Sequence, residues 1–393
     1  MAAGALDGIR VLECSFHLNG PYAGRLLAEL GAEVIKVEPP FGEPNRHNSA
    51  TINGESTFFM NYNSNKKFIT LNLKSDKGKE IFLDMVKISD VVLDNFRPGV
   101  MDRLGIGYEA QKRVNPNIIY ATSTGFGYTG PYKNDAAYDT TIQALTGMMD
   151  LTGFPGDPPI RSAPAIIDIS AGVFTAMAII TALFHKERTG HGQRIDISML
   201  DVGVNYMIGL YSQLQVGNVE KQGNAIPVLA PYNVYKAKDG WVVIVIGEDA
   251  KWEAFIKKIG TPADLDDDRL KLLKDRTAHS DIVDRIVSDW SIKNTMEYDV
   301  AIVKECGGAA CPVKKLEDMI SDPQVIARNM IVNTKHPTIG NFKTIGSALK
   351  MSETPGIIKS PGLPLGYNND EFYENVMHFS AHFINNLKKE KVI

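Results

Sequence analysis

Short runs of β-branched and aliphatic residues alternate with segments of helical period through the first 200 residues of the chain. Ile9 to Cys14, Glu33 to Val37, Phe68 to Leu73, Asp90 to Leu93, Ile118 to Thr122 and Arg194 to Ser198 read as strands. Pro21 to Leu30 and Asp76 to Ile88 read as helices, the first with proline at an early helical position and Gly31 just past its end. A longer helix is expected over Ile169 to His185, closed by Gly190 and Gly192. Strands that alternate with helices predict an α/β fold with a largely parallel, doubly wound sheet.

After about residue 215 the texture changes to scattered glycine and proline. Two strand-like runs then flank Asp239-Gly240, a hairpin signal. A polar helical stretch follows from Ala250 to about Met296, and the last 60 or so residues are rich in proline and glycine. The expected organisation is a large domain over 1–224, a smaller α+β domain over 225–330, and a segment over 331–393 that wraps back onto the large domain. A length of 393 residues accommodates that division. The longest apolar run, Ala171 to Phe184, is shorter than the roughly 20 residues that span a bilayer, so a buried helix is expected there.

With 42 basic against 46 acidic residues interspersed along the chain, nothing points to nucleic acid or an anionic membrane as a partner. Cys14, Cys306 and Cys311 are too few and too unevenly placed for a disulfide framework, which suits a reducing, cytoplasmic setting. No basic leader followed by an apolar stretch opens the sequence. Cys306 and Cys311 lack a second ligand pair, and His378 and His382 lack the intervening acid of a zinc helix, so no metal site is expected.

Gly125-Phe-Gly-Tyr-Thr-Gly130 has the spacing of a dinucleotide fingerprint, but Pro131-Tyr-Lys-Asn-Asp follows where a helix would have to begin. No G-x-S-x-G elbow supports a serine hydrolase. The remaining candidate is Asp168, at the junction of an apolar run and a row of small residues. A carboxylate at a helix start is stabilised as the anion by the helix dipole, and such a residue serves as a cap or as a nucleophile.

Five blocks, in order, decide between those roles: Asn19-Gly-Pro-Tyr-Ala-Gly through Glu38, Asn65 to Lys74, Asp94-Asn-Phe-Arg-Pro-Gly through Gly105, Asp168-Ile-Ser-Ala-Gly with Thr189 to Ser198, and Ala230-Pro-Tyr-Asn-Val-Tyr with Asp239-Gly-Trp. Together they resemble the class III CoA-transferases, which include formyl-CoA:oxalate and carnitine CoA-transferases. The resemblance implies a Rossmann-like large domain, a small domain that lends a loop to the site, and an interlocked homodimer. It implies no permanently bound cofactor, with coenzyme A and acyl-CoA as substrates. Asp168 falls on the nucleophile position. Leu18, Leu71, Asn72, Leu73, Lys74, Asn95, Phe96, Arg97, Arg103 and Tyr138 fall on CoA contacts, with Arg46 as an addition. His17, Gly247 and Glu248 fall near the acyl group or on the covering loop.

By residue type, Lys74, Arg97 and Arg103 suit phosphates, and Phe96 suits the adenine or pantetheine path. Departures are Pro39 and Ala136, where the family carries basic residues, and Ile246-Gly-Glu-Asp249 in place of a glycine-rich loop. Amides of Ser170 to Gly172, or of Gly247, are expected oxyanion donors. An α-methylacyl-CoA racemase shares the CoA blocks but uses a histidine where this chain has Tyr138, a poor acid–base partner at neutral pH. A non-catalytic CoA-binding protein is the third reading.

Overall fold

The computed structural model describes residues 4–260 and 267–393, so residues 261–266 of the helical stretch expected over 250–296 lie outside the described residues. Along the first part of the chain run β1 (Arg10–Cys14), α1 (Asn19–Glu29), β2 (Glu33–Glu38), α2 (Thr57–Tyr62), β3 (Lys67–Thr70), α3 (Asp76–Lys87), β4 (Val91–Asp94) and β5 (Ile119–Thr124). They are followed by α4 (Asp139–Leu145), α5 (Ile166–Thr189), β6 (Arg194–Ser198) and α6 (Met199–Tyr206).

The six strands form one sheet in the order β3-β2-β1-β4-β5-β6, every pair parallel. The order reverses between β1 and β4, and in such sheets the crevice beyond the carboxyl ends at that reversal is where ligands bind. Helices cover both faces, so β4 and β5 are buried along their whole length. Successive residues feed opposite layers. Leu12 and Val92 pack with Phe82 and Met85 of α3, whereas Val11, Val91 and Leu93 pack with Ala23 and Leu27 of α1 and Ile179 of α5.

α1 packs its Gly24 against the buried side chain of Glu13 on β1. A Cβ on Gly24 would come within 1.8 Å of the Glu13 carboxylate, so glycine is required there by space rather than by φ.

α5 begins three residues earlier than its pattern predicts and runs for 24 residues. By length and composition it could cross a membrane, yet half of its most apolar window is buried within the protein, where it packs on α1 and β5. The earlier start places Asp168 inside the first turn rather than ahead of the helix.

The chain separates into two compact units, residues 1–148 with 161–212 and 323–393, and residues 149–160 with 213–322. In the second, β7 (Tyr232–Lys236) and β8 (Trp241–Val245) form a hairpin closed by a turn over Ala237 to Gly240, and β9 (Ala309–Pro312) pairs with β8 on its other side. α7 (Asp249–Ile259) and the helices Ser280–Ser291 and Met296–Glu305 cover this sheet, with Trp252, Phe255, Val283 and Val287 in its core.

The last residues contribute to the first unit. They form a hairpin of β10 (Ile331–His336) and β11 (Gly340–Ile345), and then α8 (Ala381–Lys389). Phe372, Tyr373, Ile384 and Leu387 enter the same apolar core as α3, and the Asn72 amide donates to the Val392 carbonyl at 2.7 Å.

Candidate active site

Three loops leave the carboxyl ends of β1, β4 and β5 at the point where the sheet order reverses, and they enclose a cavity of about 280 Å³. Phe16 and His17 come from the first loop, Asn95, Phe96, Arg97 and Pro98 from the second. Thr124, Gly125, Phe126, Lys133, Asp135 and Ala136 through Tyr138 come from the third. Gly125 and Phe126, which open the glycine-rich segment, line this cavity, and the segment is not a phosphate turn. A Cβ on Gly125 would come within 2.1 Å of Ala137, and no helix begins before Asp139.

A buried ionic cluster fixes the first loop. Lys36 donates to Glu13 at 3.0 Å and to the Ser15 carbonyl at 2.7 Å, and it lies 3.5 Å from Glu43. Lys66 pairs with Glu13 at 2.7 Å. Burial by itself would raise the Glu13 carboxyl, but the two ammonium groups overcome it and hold the acid below its ordinary range. Burial also brings Lys66 down to about 8. Glu43 accepts from the His17 amide at 2.9 Å, and the Asn95 side chain both accepts from and donates to the Phe16 backbone, at 2.8 and 2.7 Å. His17 is thereby held at φ 63°, a backbone state uncommon for a residue with a side chain.

Asp168 lies on α5 and is half-buried. The residue that caps this helix is Asp139, whose Oδ1 accepts from the Ile167 amide at 2.7 Å and from the Asp168 amide at 3.1 Å. Its Oδ2 accepts from Gln143 at 2.5 Å. Among the described residues no hydrogen bond reaches the Asp168 carboxylate itself. Burial, reinforced by the Asp139 charge, pushes that carboxyl up to about 7.

Such a group is poised to be either neutral or anionic near neutral pH, and as the anion it is a stronger nucleophile than an ordinary aspartate. Near it, Tyr62 is raised by burial, with further contributions from Tyr22 and from Asp168, and Tyr206 donates to the Ser170 hydroxyl.

The cavity thus gathers His17, Asn95, Phe96, Arg97 and Tyr138 of the expected contacts, with Tyr138 68% exposed and next in the chain to the capping Asp139. Asn95 acts as a clamp, since its amide is committed to Phe16 and Asn19. Leu18 is buried as the residue before α1, and Leu71 and Leu73 pack into the core. Asn72 closes the turn into α3, and Lys74 and Arg103 are exposed.

Two expectations are corrected. Arg46 is buried, with its guanidinium bonded to both Glu38 oxygens at 2.7 and 2.8 Å and to the Leu363 carbonyl, and lying 3.7 Å from the Phe59 ring centre. Three of its five N–H groups are committed within the fold. The amides of Ser170 to Gly172 lie beyond the first turn of α5 and are spent on its own carbonyls, so they are not oxyanion donors.

Gly247 and Glu248 belong to the second unit, just ahead of α7. The Gly247 carbonyl accepts from Arg276 and the Glu248 side chain pairs with Lys251. Asp139, Glu43 and Lys133 were not singled out by sequence reasoning. Asp139 carried one visible signal, an acid opening a helical segment directly after Tyr138. Among the described residues no group of three or more His, Cys, Asp or Glu side chains could hold a metal ion.

Residues 6–369 match the family model described as CoA-transferase family III. The chain is 36% identical over 365 residues to the acetyl-CoA:oxalate CoA-transferase of Acetobacter aceti, covering 92% of each chain. It is 33% identical over 393 residues to the succinyl-CoA–D-citramalate CoA-transferase of Chloroflexus aurantiacus, covering 99% of this chain and 98% of that one. The crystal structure of a CAIB/BAIF family protein from Brucella suis superimposes with a TM-score of 0.86 at 30% identity, covering 95% of this chain and 100% of the other.

Proposed function

The chain belongs to CoA-transferase family III, and from that premise we propose that it moves CoA from an acyl-CoA donor to a carboxylic acid acceptor through covalent intermediates on Asp168. The observation that carries this reading is a half-buried carboxylate with no hydrogen bond to its oxygens among the described residues and a pKa raised to about 7.

An Asp168 oxygen attacks the donor thioester carbonyl and the C–S bond breaks, giving an aspartyl-acyl anhydride and CoA thiolate. The thiolate then attacks the aspartyl carbonyl and expels the donor carboxylate, leaving an aspartyl-CoA thioester. The acceptor carboxylate attacks that thioester, and the released thiolate takes the acceptor acyl group and frees Asp168. No proton or water is consumed, which makes exclusion of water a requirement of the site.

The cavity at the sheet reversal is the proposed CoA site, with Arg97 supplying phosphate contacts and Phe96 an aromatic wall. Lys74 and Arg103 remain contacts by family resemblance. The relatives act on oxalate and D-citramalate by name, so acetyl-CoA or succinyl-CoA with a short dicarboxylate is the first pairing to assay.

A homodimer is part of the same reading. Val173, Met177 and Phe184 on α5 and Val204 on α6 are exposed in the single chain, a face suited to a second copy. Native mass measurement tests it. The chemistry is tested by incubating the protein with acetyl-CoA or succinyl-CoA, quenching with borohydride and reading the mass of the Asp168 peptide. Reduction of an aspartyl thioester to the alcohol is expected, whereas an unmodified peptide under conditions of measurable CoA exchange would remove Asp168 from the role.

A further inference from the structure

The second and third amides of a helix are ordinarily taken by the side chain of its own N-cap residue. In α5 that residue is Ala165, which has no side chain able to take them. The Ile167 and Asp168 amides are both bonded to Oδ1 of Asp139, which reaches them from the first position of α4 and is 7% exposed. The other Asp139 oxygen is held by Gln143, whose Oε1 in turn accepts from the Ser162 amide at 3.0 Å. The capping acid is therefore bonded at both oxygens, to α5 and to its own helix.

We propose that Asp139 is a positioning residue for Asp168, fixing the first turn of α5 from a neighbouring helix in place of an N-cap side chain and setting a like charge beside the Asp168 carboxylate. This inference rests on the reading of Asp168 as the nucleophile. A carboxylate that accepts two or three amide hydrogen bonds is strongly stabilised as the anion and correspondingly unreactive. Asp168 accepts no hydrogen bond of that kind among the described residues and has a like charge beside it, and both make its oxygens better donors to an acyl carbon.

Among the described residues, the other groups facing this helix start do not supply an opposing charge directly. Tyr62 of α2 is a phenol raised by burial, and Arg25 of α1 enters as a neighbour of Tyr22 and Tyr62 rather than of Asp168. Because Tyr138 lines the cavity and Asp139 follows it, movement of the third loop on filling the cavity would be passed to the nucleophile through one residue.

The test is a pH titration of carboxyl absorbance by infrared difference spectroscopy on the full chain, with no substrate present. The Asp168 signal is the band absent from D168N, and its midpoint in the native protein is expected at about 7. D139N loses the Gln143 bond and the charge but keeps an oxygen for the two amides. It is expected to lower that midpoint by about one pH unit while the melting temperature is largely kept. D139A, which removes the cap as well, lowers both. A midpoint in D139N equal to the native one, or higher, overturns the proposal, and so does a D139A protein whose helix start and midpoint are both unchanged. CoA exchange from acetyl-CoA separates the two levels. Activity surviving in D168N would sink the nucleophile reading, whereas an inactive D168N with an unmoved D139N midpoint would sink only the role given to Asp139.

Discussion

Replacing Asp168 by Asn should stabilise the protein, and by an amount that grows with pH. The carboxyl rises from an ordinary 3.8 to about 7 on folding, so the folded state binds a proton that the unfolded state has released throughout that interval. Linkage fixes the sign: where the native state holds more protons, stability falls as pH rises. Below pH 4 the group is neutral in both states and costs nothing. Between pH 4 and 7 the cost accumulates, and above pH 7 it is complete.

At 1.36 kcal/mol per pH unit, the full rise corresponds to an upper bound of about 4 kcal/mol, of which roughly 2.6 accrues between pH 5 and pH 8. Asp168 is only half-buried, and solvent contact reduces such figures by about half. The expectation is that the stability advantage of D168N over the native chain is about 1–2 kcal/mol larger at pH 8 than at pH 5. That corresponds to a difference in melting temperature that widens by a few degrees, at about 2–4 °C per kcal/mol for a domain of this size. Thermal or urea unfolding of both proteins across pH 5–8 measures it, and titrations shared by the two chains cancel in the difference. Parallel curves, or an advantage that shrinks with pH, would refute the account of a carboxylate held ionised against its surroundings. The confirmed result would mean that the reactive group is maintained at the expense of the fold, as is common at catalytic sites.

Transfer activity should rise with pH through about 7 as Asp168 ionises, and initial rates with acetyl-CoA across pH 5.5–8.5 would show the limb. G24A places a methyl 1.8 Å from a buried, doubly paired carboxylate that has nowhere to swing. It should therefore cost at least about 2 kcal/mol despite alanine's better helix propensity, as read by urea unfolding. R46A and R97A should separate two uses of arginine. The first breaks a buried pair, with a loss of about 3 kcal/mol in stability and an unchanged KM for acyl-CoA. The second leaves the melting temperature alone and raises that KM about tenfold, the scale of a charge-assisted phosphate contact.

The doubly wound sheet was legible because short β-branched and aliphatic runs, such as Val11-Leu12, Val34-Ile35 and Val91-Val92-Leu93, alternate with segments of helical period. Asp168 was legible from its place between an apolar run and Ser170-Ala-Gly, once four other blocks were read with it in order. Arg46 was misjudged because a guanidinium looks the same in sequence whether it meets a phosphate or a buried partner eight positions back. Only the fold of the loop over Glu43 to Arg46 turns it onto Glu38.

By itself, then, the sequence determined the alternation of strands and helices and the nucleophile candidate. The first depends on local period, and the second on five blocks that occur in one order along the chain. The tertiary structure alone decided which carboxylate caps α5, which cations are free, and how His17 is held at the cavity edge. The groups responsible lie far from their targets in the chain: Asp139 from Asp168, Glu43 from His17, and Asn95 from Phe16. A hydrogen bond or a Coulomb interaction depends on separation in space, and that separation is set only when the sheet brings the ends of β1, β4 and β5 together.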